Sequence, residues 1–295
     1  MSKDAIAQAL EQLDELIVDA REGAIVPVRL PGQLEAIRST LAAAKEPAAP
    51  SPIPVSASID QEAFLKEQAY FIGHAIHELR TPMTSIRGYS DMLANPAMGA
   101  LSDMQQQFVE TIRANAKRME ALLQDVADMN KIRAGTLRLT PKMDIFKNIA
   151  LLAEQQVKPI ADLLNRTVTM DIPSGLPLLN LDGEMLAKAL VKLLDNALRY
   201  QHEDGDHEVT LRAAAVDNKV QIMISDHGIG MKPEDLEQLG TLYFRSEDER
   251  VRAHKGSGLG IPIAYGIIRL IGGTISVSSE YGKGTTFTLM VDGMS

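Results

Sequence analysis

One predicted helix carries a histidine whose neighbours suit nucleophilic chemistry. The segment Phe71–Met83 reads FIGHAIHELRTPM and places His77 beside Glu78. An unperturbed histidine titrates at about pH 6.5, so at neutral pH it offers a ring nitrogen that can attack phosphorus. Thr81 follows on the same side of the helix, and Pro82 removes the N–H that would bond the carbonyl of Glu78. We therefore expect an exposed, reactive histidine beside a bend in its helix.

Two glycine clusters further along the chain are suited to a nucleotide. Asp226-His227-Gly228-Ile229-Gly230 follows a predicted strand, so its carboxylate can accept the exocyclic amine of adenine while the glycines let the backbone approach the base. Gly256-Ser257-Gly258-Leu259-Gly260 opens a predicted helix, where free N–H groups and the helix dipole attract phosphate oxygens. Neither cluster is specific alone, because the first also occurs in plain turns and the second is neither a Walker loop nor a Rossmann fingerprint.

Amide and cationic side chains accompany these clusters. Asn196 lies near the end of a helix predicted over Asp182–Tyr200 and offers a side-chain oxygen to Mg²⁺, a hard cation. Arg199 lies three residues further on, within reach of the same nucleotide. The segment 240–255 predicts either a solvated loop or a lid whose cations approach the phosphates. Those cations are Arg245, Arg250, Arg252 and Lys255.

The string around the histidine resembles a known motif. Taken alone, His77 is an ordinary solvated histidine and Pro82 an incidental kink. The whole string His77–Pro82, HELRTP, resembles the H box of dimeric sensor histidine kinases. The resemblance implies that His77 is the phosphoacceptor and that Glu78 accepts or orients its proton. It also implies that Thr81 positions the water that dephosphorylates a partner response regulator.

The later motifs resemble the catalytic domain of the same family, within the wider group of gyrase, Hsp90 and MutL ATPases. Asn196, the Asp226 cluster, Tyr243-Phe244-Arg245 and the Gly256 cluster follow the order of the family's N, G1, F and G2 boxes. The resemblance covers about residues 61–295 and implies ATP and Mg²⁺ as cofactors, with Asn196 as the metal ligand. The nucleotide ligands that it implies are Asn196, Arg199, Tyr200, Asp226, Gly228, Gly230, Phe244, Arg245, Gly256, Gly258, Leu259, Gly260 and Thr285.

One residue departs from the family pattern. The first asparagine of the N box, four residues before Asn196, is Lys192 in this chain. A charged lysine does not ligate Mg²⁺, so we expect the metal to depend on Asn196 and the nucleotide affinity or rate to be altered.

Composition excludes several other classes of protein. The chain has 295 residues, 45% apolar and 23% charged, with a net charge of −9, which disfavours a nucleic-acid partner. It has no cysteine, which excludes disulfides and thiolate chemistry. The acidic N-terminal segment is unlike a secretory signal, and no apolar run reaches the roughly 18 residues that span a bilayer. We therefore expect a cytoplasmic protein without a direct membrane span.

Periodicity divides the chain into three regions. Residues 1–60 combine helical stripes with a proline-rich spacer, EPAAPSPIP, and predict either a HAMP-like module or a docking hairpin, with residues 1–45 open to a sensory partner. Residues 61–135 predict two antiparallel helices that form a dimeric four-helix bundle with a second copy. Residues 136–295 alternate strands and helices and predict a two-layer α/β sandwich with a mixed sheet, the Bergerat ATP-binding fold that the resemblance implies. The fold class is thus α+β and multidomain.

These motifs favour one function over two alternatives. We expect a two-component histidine kinase that phosphorylates His77 from ATP, passes the phosphoryl group to an aspartate of a response regulator, and also acts as a phosphatase. A non-kinase ATP-driven clamp would not need the string His77–Pro82. A weakened scaffold or phosphatase-biased regulator is suggested by Lys192. The residues leave open the stimulus and whether transfer in the dimer occurs in cis or in trans.

Overall fold

The computed structural model describes residues 57–202 and 208–294. The helical stripes and spacer predicted before residue 57 lie outside the described residues. Residues Glu62–Ser295 form one compact unit. Within the described ranges no helix combines the length and the apolar character needed to cross a bilayer.

A long helical hairpin opens the described part. Helix α1 (Ala57–Leu93) contains Pro82 without ending there, and a single 3-10 turn (Pro96–Met98) leads to helix α2 (Asp103–Arg133). Ser102 begins α2 with a reciprocal capping box to Gln105, which satisfies two N–H groups that the first turn leaves free. Polar pairs hold the two helices antiparallel: Arg80–Gln124 at 3.2 Å, Arg87–Glu120 at 2.7 Å and Asp91–Arg113 at 2.7 Å.

The hairpin buries only one of its apolar stripes. Ile76 and Met83 of α1 and Val109 and Ala116 of α2 are buried. A second set of large apolar side chains on the same two helices is exposed: Leu79, Ile86, Leu93, Met104, Phe108, Ile112 and Met119. Contiguous exposed apolar side chains mark an interaction surface. The single hairpin therefore leaves an apolar face exposed to solvent.

The α/β half follows the hairpin. Its strands are β1 (Lys142–Asp144), β2 (Thr167–Asp171), β3 (Leu179–Leu181), β4 (Glu208–Val216), β5 (Lys219–Asp226), β6 (Thr274–Glu280) and β7 (Gly284–Asp292). Its helices are α3 (Phe146–Leu164), α4 (Gly183–Arg199), α5 (Pro233–Glu237), α6 (Glu249–Ala253) and α7 (Gly260–Leu270). The predicted helices and long strands are present, whereas β1, β3 and α6 were not predicted.

The main sheet is mixed, as the sequence predicted. Its strand order is β2-β4-β5-β7-β6, and β2–β4 is parallel while the other pairs are antiparallel. The β4–β5 hairpin turns at Asp217-Asn218, where Asp217 has a φ of 54°. Strands β1 and β3 form a separate two-stranded sheet. A helical hairpin followed by an α/β sandwich is therefore confirmed.

Helices α3, α4 and α7 cover one face of the sheet. Apolar residues recur along α4 at helical spacing and are fully buried against the sheet: Leu186, Leu190, Leu193, Leu194 and Leu198. The inward side chains of β4, β5 and β7 alternate with more exposed ones, which is the period of a half-buried sheet. This burial fixes the rotation of α4 and so directs Lys192 and Asn196 away from the core.

The end of α2 packs on the α/β half. Val126, Met129 and Ile132 lie against the α/β core. The side chain of Ile132 covers Gly266 of α7, where an added Cβ would lie 2.6 Å from Ile132 Cγ2. Periodicity gives a helix its apolar face but does not say which element covers that face.

The cap of α4 offers a test of this architecture. Asp182 Oδ1 accepts from the N–H of Met185 at 3.0 Å, and Oδ2 accepts from the N–H and hydroxyl of Thr140 at 2.9 and 3.0 Å. Burial opposes the charge, but these hydrogen bonds outweigh it and hold the pKa of Asp182 below its usual value. We predict that Asp182→Ala lowers the free energy of unfolding by about 2 kcal/mol, measured by urea denaturation.

Asp171 provides a matched control for this substitution. Its carboxylate forms an exposed ion pair with Arg212 at 3.4 Å, and such pairs contribute little. Asp171→Ala should therefore change the free energy of unfolding by less than about 0.5 kcal/mol. Equal losses for the two variants would contradict the role given to Asp182.

Candidate active site

A cavity of about 400 Å³ opens between α4, the start of α7, the segment 239–256 and the ends of β5 and β7. Its size suits a nucleotide-like ligand. Asp226, Ile229 and Gly230 lie at one side, and Asn196, Arg199 and Tyr200 of α4 at another. Helix α2 closes part of the wall with Arg118, Ala121, Leu122 and Asp125. The cavity is therefore built from both halves of the described chain.

Asp226 gives the cavity a directed acceptor. Its Oδ1 accepts from the N–H groups of Gly228 at 2.9 Å and Thr285 at 3.2 Å. Burial raises the pKa of Asp226 to about 6, against the lowering effect of these two hydrogen bonds. No hydrogen bond from a described residue engages Oδ2, so this oxygen is the one available to an amine donor such as that of adenine.

The glycines around the cavity have two different causes. A Cβ on Gly228 would overlap the carbonyl of Tyr200, and one on Gly230 would overlap the carbonyl of Glu280. Packing within the protein therefore requires glycine at these two positions. At Gly256 and Gly260 a Cβ would have its nearest neighbours at 3.6 and 3.9 Å, so the protein leaves room there. That room lies at the cavity and at the N-terminus of α7, which suits a phosphate.

Arg245 organises the predicted lid, the segment 240–255. Its guanidinium donates to the carbonyls of Val251 at 2.8 Å, of His254, and of Gly256 at 3.4 Å. Its Nε is buried with no hydrogen-bond partner among the described residues, and the residue lines the cavity. The sequence predicted a cation near the phosphates; the structure adds that three N–H groups of this guanidinium bond to carbonyls in or directly after the segment.

A second polar cluster anchors the lid to the β6–β7 turn. Asp248 Oδ2 lies 3.1 Å from Arg250 Nη2 and accepts from the Tyr281 hydroxyl at 2.5 Å. The Arg250 guanidinium also lies 5.1 Å from the centre of the Tyr281 ring. Hydrogen bonds from Arg250 and Tyr281 hold the pKa of Asp248 well below its usual range. Arg250 is therefore engaged in fixing the lid, away from the cavity lining.

Helix α4 supplies the polar side of the cavity. Asn196 lines it with a half-exposed amide. Arg199 Nε donates to both carboxylate oxygens of Asp195, at 2.8 and 2.9 Å. Burial works against the charge of Arg199, but Asp195 outweighs it and raises the pKa of the guanidinium. Arg199 is thus a paired cation in the cavity lining, and Tyr200 packs edge-on against His254 at 5.6 Å.

His77 lies on the exposed surface of α1. Its side chain is 75% exposed, and its Nδ1 lies 3.5 Å from Glu78 Oε1. The carboxylate beside Nδ1 favours the tautomer with the proton there, which leaves the lone pair on Nε2. Thr81 is exposed one turn further on. Among the described residues none from α1 lines the cavity, so the histidine and the nucleotide site are separate surfaces in this structure.

The structure gathers most of the predicted nucleotide ligands in one place. All of them line the cavity except Gly228 and Leu259. Gly228 instead supports Asp226 through its N–H, and the Leu259 side chain is buried in the core. Sequence reasoning missed the contribution of α2, and in particular Arg118 and Asp125. The helical spacing of Asp125 and Asp128 indicates an acidic face on α2, but the sequence does not specify which helix that face contacts.

Comparison with known families agrees with this arrangement. Residues 67–135 match the family described as His Kinase A (phospho-acceptor) domain. Residues 181–293 match the family described as histidine kinase-, DNA gyrase B- and HSP90-like ATPase. The chain belongs to the sensor histidine kinases.

Individual members of this family are similar over most of the chain. The histidine protein kinase DivJ of Caulobacter vibrioides is 31% identical over 233 residues, which cover 79% of this chain and 38% of DivJ. The sensor histidine kinase WalK of Bacillus subtilis is 28% identical over 237 residues, which cover 78% of this chain and 37% of WalK. The chain thus spans less than half the length of these kinases.

Solved histidine kinase structures share the fold. Full-length ShkA in complex with AMPPNP has a TM-score of 0.65 and 22% identity, over 77% of this chain and 46% of ShkA. The histidine kinase AdeS of Acinetobacter baumannii has a TM-score of 0.52 and 23% identity, over 74% of this chain and 98% of AdeS. At these identities the likeness concerns the fold alone.

Asp226→Asn separates binding from stability at the kinase cavity. Because Oδ1 already accepts from two backbone N–H groups, the amide nitrogen of the asparagine takes the place of Oδ2. The N–H donor of this amide then faces the amine donor of adenine. We predict that the variant binds ATP at least about tenfold more weakly. It should also unfold at a higher temperature, because a buried charge is removed. Isothermal calorimetry and thermal denaturation measure the two effects.

The pH dependence of the wild type provides the control. The pKa of Asp226 is raised to about 6 by burial, so the carboxyl gains its proton as the pH falls through that value and loses its role as acceptor. Wild-type ATP affinity should therefore fall as the pH is lowered from 7.5 to 5.5, and the affinity of Asp226→Asn should stay flat. A parallel fall in both proteins would assign the titration to another group.

Proposed function

We propose that this chain is an ATP-dependent protein histidine kinase that phosphorylates itself on His77. The observation that carries the proposal is the combination of an exposed imidazole beside the Glu78 carboxylate with a separate cavity that Asp226 lines with a buried carboxylate. A nucleotide-driven clamp would need the cavity but not the imidazole. The match of residues 67–135 to a phospho-acceptor family supports the kinase over the clamp.

The transfer follows from the position of each group. The lone pair of His77 Nε2 forms a bond to the γ-phosphorus of ATP, and the bond from that phosphorus to the β–γ bridging oxygen breaks, which releases ADP. The ring then carries a positive charge with its proton on Nδ1. Glu78, 3.5 Å from Nδ1, stabilises that charge and accepts the proton. Positioning and charge neutralisation supply most of the rate in such reactions.

Residues at two sides of the cavity would hold the two ends of the nucleotide, its adenine and its phosphates. Asp226 Oδ2 accepts the adenine amine, and the wide glycine positions at Gly256 and Gly260 admit phosphates to the N-terminus of α7. Arg245, which lines the cavity from the lid, brings a positive charge to the same ligand. Lid closure excludes water from the terminal phosphate.

Mg²⁺ is the metal that we assign to this site. No cluster of three or more His, Asp or Glu side chains within the described residues could hold an ion by itself, so the metal enters with the triphosphate. Asn196 then contributes a side-chain oxygen, a ligand type that Mg²⁺ accepts. When bound, the ion would neutralise part of the negative charge of the phosphates.

We further propose that two chains associate through the hairpin. The exposed apolar side chains of α1 and α2, Leu79 and Phe108 among them, form the surface that a second hairpin would cover in a four-helix bundle. Closed pairing of identical surfaces is the commonest way in which homo-oligomers form.

Phe108→Glu tests the dimer. The side chain is 61% exposed, and a carboxylate buried at a helix–helix seam is unfavourable. We predict that the variant is monomeric at concentrations where the wild type is dimeric, measured by sedimentation equilibrium. Met98→Glu, in the 3-10 turn and 63% exposed, is the control and should remain dimeric. A dimeric Phe108→Glu would place the interface elsewhere.

The recipient of the phosphoryl group is proposed to be an aspartate of a response regulator. The strip beside the nucleophile is polar and exposed at Thr81, Thr84 and Ser85, so a partner of protein size can approach His77. We assign to the Thr81 hydroxyl the orientation of a water that attacks the regulator's phosphoaspartate, which regenerates the aspartate and releases inorganic phosphate. Kinase and phosphatase reactions would then share one surface.

His77→Gln tests the phosphoacceptor. Incubation of the wild type with Mg²⁺ and γ-labelled ATP should give an acid-labile, base-stable label on the protein, and His77→Gln should remove it while ATP binding persists. His74→Gln is the matched control, because His74 is an exposed histidine one turn earlier on α1, and it should keep the label. Undiminished labelling of His77→Gln would rule out this acceptor.

A further inference from the structure

Two ion pairs join the α/β half to helix α2. Lys188 Nζ lies 2.5 Å from Asp128 Oδ2, and Lys192 Nζ lies 2.5 Å from Asp125 Oδ1. The carboxylates are only 7% and 14% exposed, so water screens the pairs less than it screens surface ion pairs. A buried carboxylate that loses its partner is costly. The two pairs therefore hold α4 against α2.

Only one of the two lysines lies at the nucleotide cavity. Lys192 and its partner Asp125 both line it, whereas Lys188 does not. The stem of Lys192 also lies beside the N-terminus of α7, since its Cδ is 3.9 Å from the Cβ position of Gly260. Asn196 follows one turn later on the same face of α4. The Lys192 ammonium is thus within the region to which the phosphates are assigned.

We infer that Lys192 is a phosphate ligand that Asp125 engages when no nucleotide is bound, so that ATP binding loosens the contact between the catalytic half and α2. This inference rests on the proposed function of the cavity. The triphosphate and Asp125 are both anionic, and placing both on one partly buried ammonium brings like charges together. Phosphate binding and docking on α2 therefore oppose each other.

Linkage makes this opposition reciprocal. If docking on α2 lowers the affinity for phosphates by some factor, ATP lowers the docking equilibrium by the same factor. The docked structure has no α1 residue at the cavity among those described, so release is also what phosphoryl transfer to a histidine requires. The family's asparagine at this position has no charge with which to make such a pair.

Binding measurements on matched variants test whether Lys192 binds phosphate or serves only to dock α4 on α2. Lys192→Met and Asp125→Asn break the same ion pair, so a residue that served only to dock would change ATP affinity in the same direction in both. We expect opposite signs: Asp125→Asn frees the ammonium and tightens ATP by about threefold to tenfold, and Lys192→Met weakens ATP by about tenfold. Adenosine, which has no phosphate, should not lose affinity in Lys192→Met.

Lys188→Met is the control for docking alone. It breaks the neighbouring pair and leaves the cation at the cavity, so it should tighten ATP as Asp125→Asn does. Gly266→Ala is a second control without any change of charge, because its methyl would meet Ile132 Cγ2 at 2.6 Å. Alanine also favours the α7 helix, so the catalytic half should stay folded.

Docking can be followed directly because the chain has no cysteine. Spin labels on cysteines at the exposed positions Lys117 of α2 and Arg269 of α7 report the distance between the two halves. A non-hydrolysable ATP analogue should move the wild type from the docked distance to longer ones, and adenosine should do so less. Gly266→Ala should populate the longer distances without nucleotide.

The outcomes distinguish this inference from the proposed function. Wild-type protein that binds ATP and phosphorylates itself, but loses no ATP affinity in Lys192→Met, would overturn the inference alone. An analogue that binds and leaves the label distance unchanged would overturn it too. Wild-type protein that binds neither adenosine nor ATP would instead remove the nucleotide site and with it both proposals.

Discussion

Helix α2 is packed by different partners along its length, and the rest of the structure depends on this. It pairs with α1, which carries the proposed nucleophile His77, and its final turns lie on the α/β core through Val126, Met129 and Ile132. Between these contacts it forms a wall of the nucleotide cavity. The arrangement keeps the cavity and His77 on one compact unit while holding them on separate surfaces. In the proposed mechanism, phosphoryl transfer to His77 therefore requires the release of one of these contacts of α2.

The cavity itself is maintained against a cost in stability. Burial raises the pKa of Asp226 to about 6, which corresponds to roughly 3 kcal/mol of unfavourable free energy at neutral pH. Because the folded-state pKa is raised, this cost is present above the folded value and disappears as the pH falls below the unfolded value. A carboxylate that destabilises the fold yet aims one oxygen into a cavity is typical of a binding site. Two backbone N–H donors to the other oxygen, Oδ1, fix the orientation of the carboxylate.

The parts that the sequence predicted are those in which chemistry and local structure coincide. The string His77–Pro82 and the glycine clusters were readable because each needs particular residue types at fixed spacing. The spacing of apolar residues likewise predicted the long strands, by alternation, and α4, by its helical period. These features are local, since a helix stripe or a strand period is set by neighbours in the chain.

The parts that were not predicted are contacts between distant elements. The pairs Lys188–Asp128 and Lys192–Asp125 need a docking geometry that no spacing along the chain specifies. The role of Arg245 was misjudged in part, because a cation between two glycine clusters suggests phosphate whereas most of its donors meet lid carbonyls. Lys192 was noticed only as a departure from the family, and its function needed its partner to be seen.

The most direct test of the account is the chemical state of the histidine rings. Selective ¹⁵N labelling of the six histidines, followed by NMR after incubation with ATP and Mg²⁺, shows which ring nitrogen bonds to phosphorus. We predict that the NMR signals of a single ring, His77, change. Phosphorus should be on its Nε2, with the proton on Nδ1 facing Glu78. Phosphorus on Nδ1, on another histidine, or on no histidine in protein that binds ATP would contradict it.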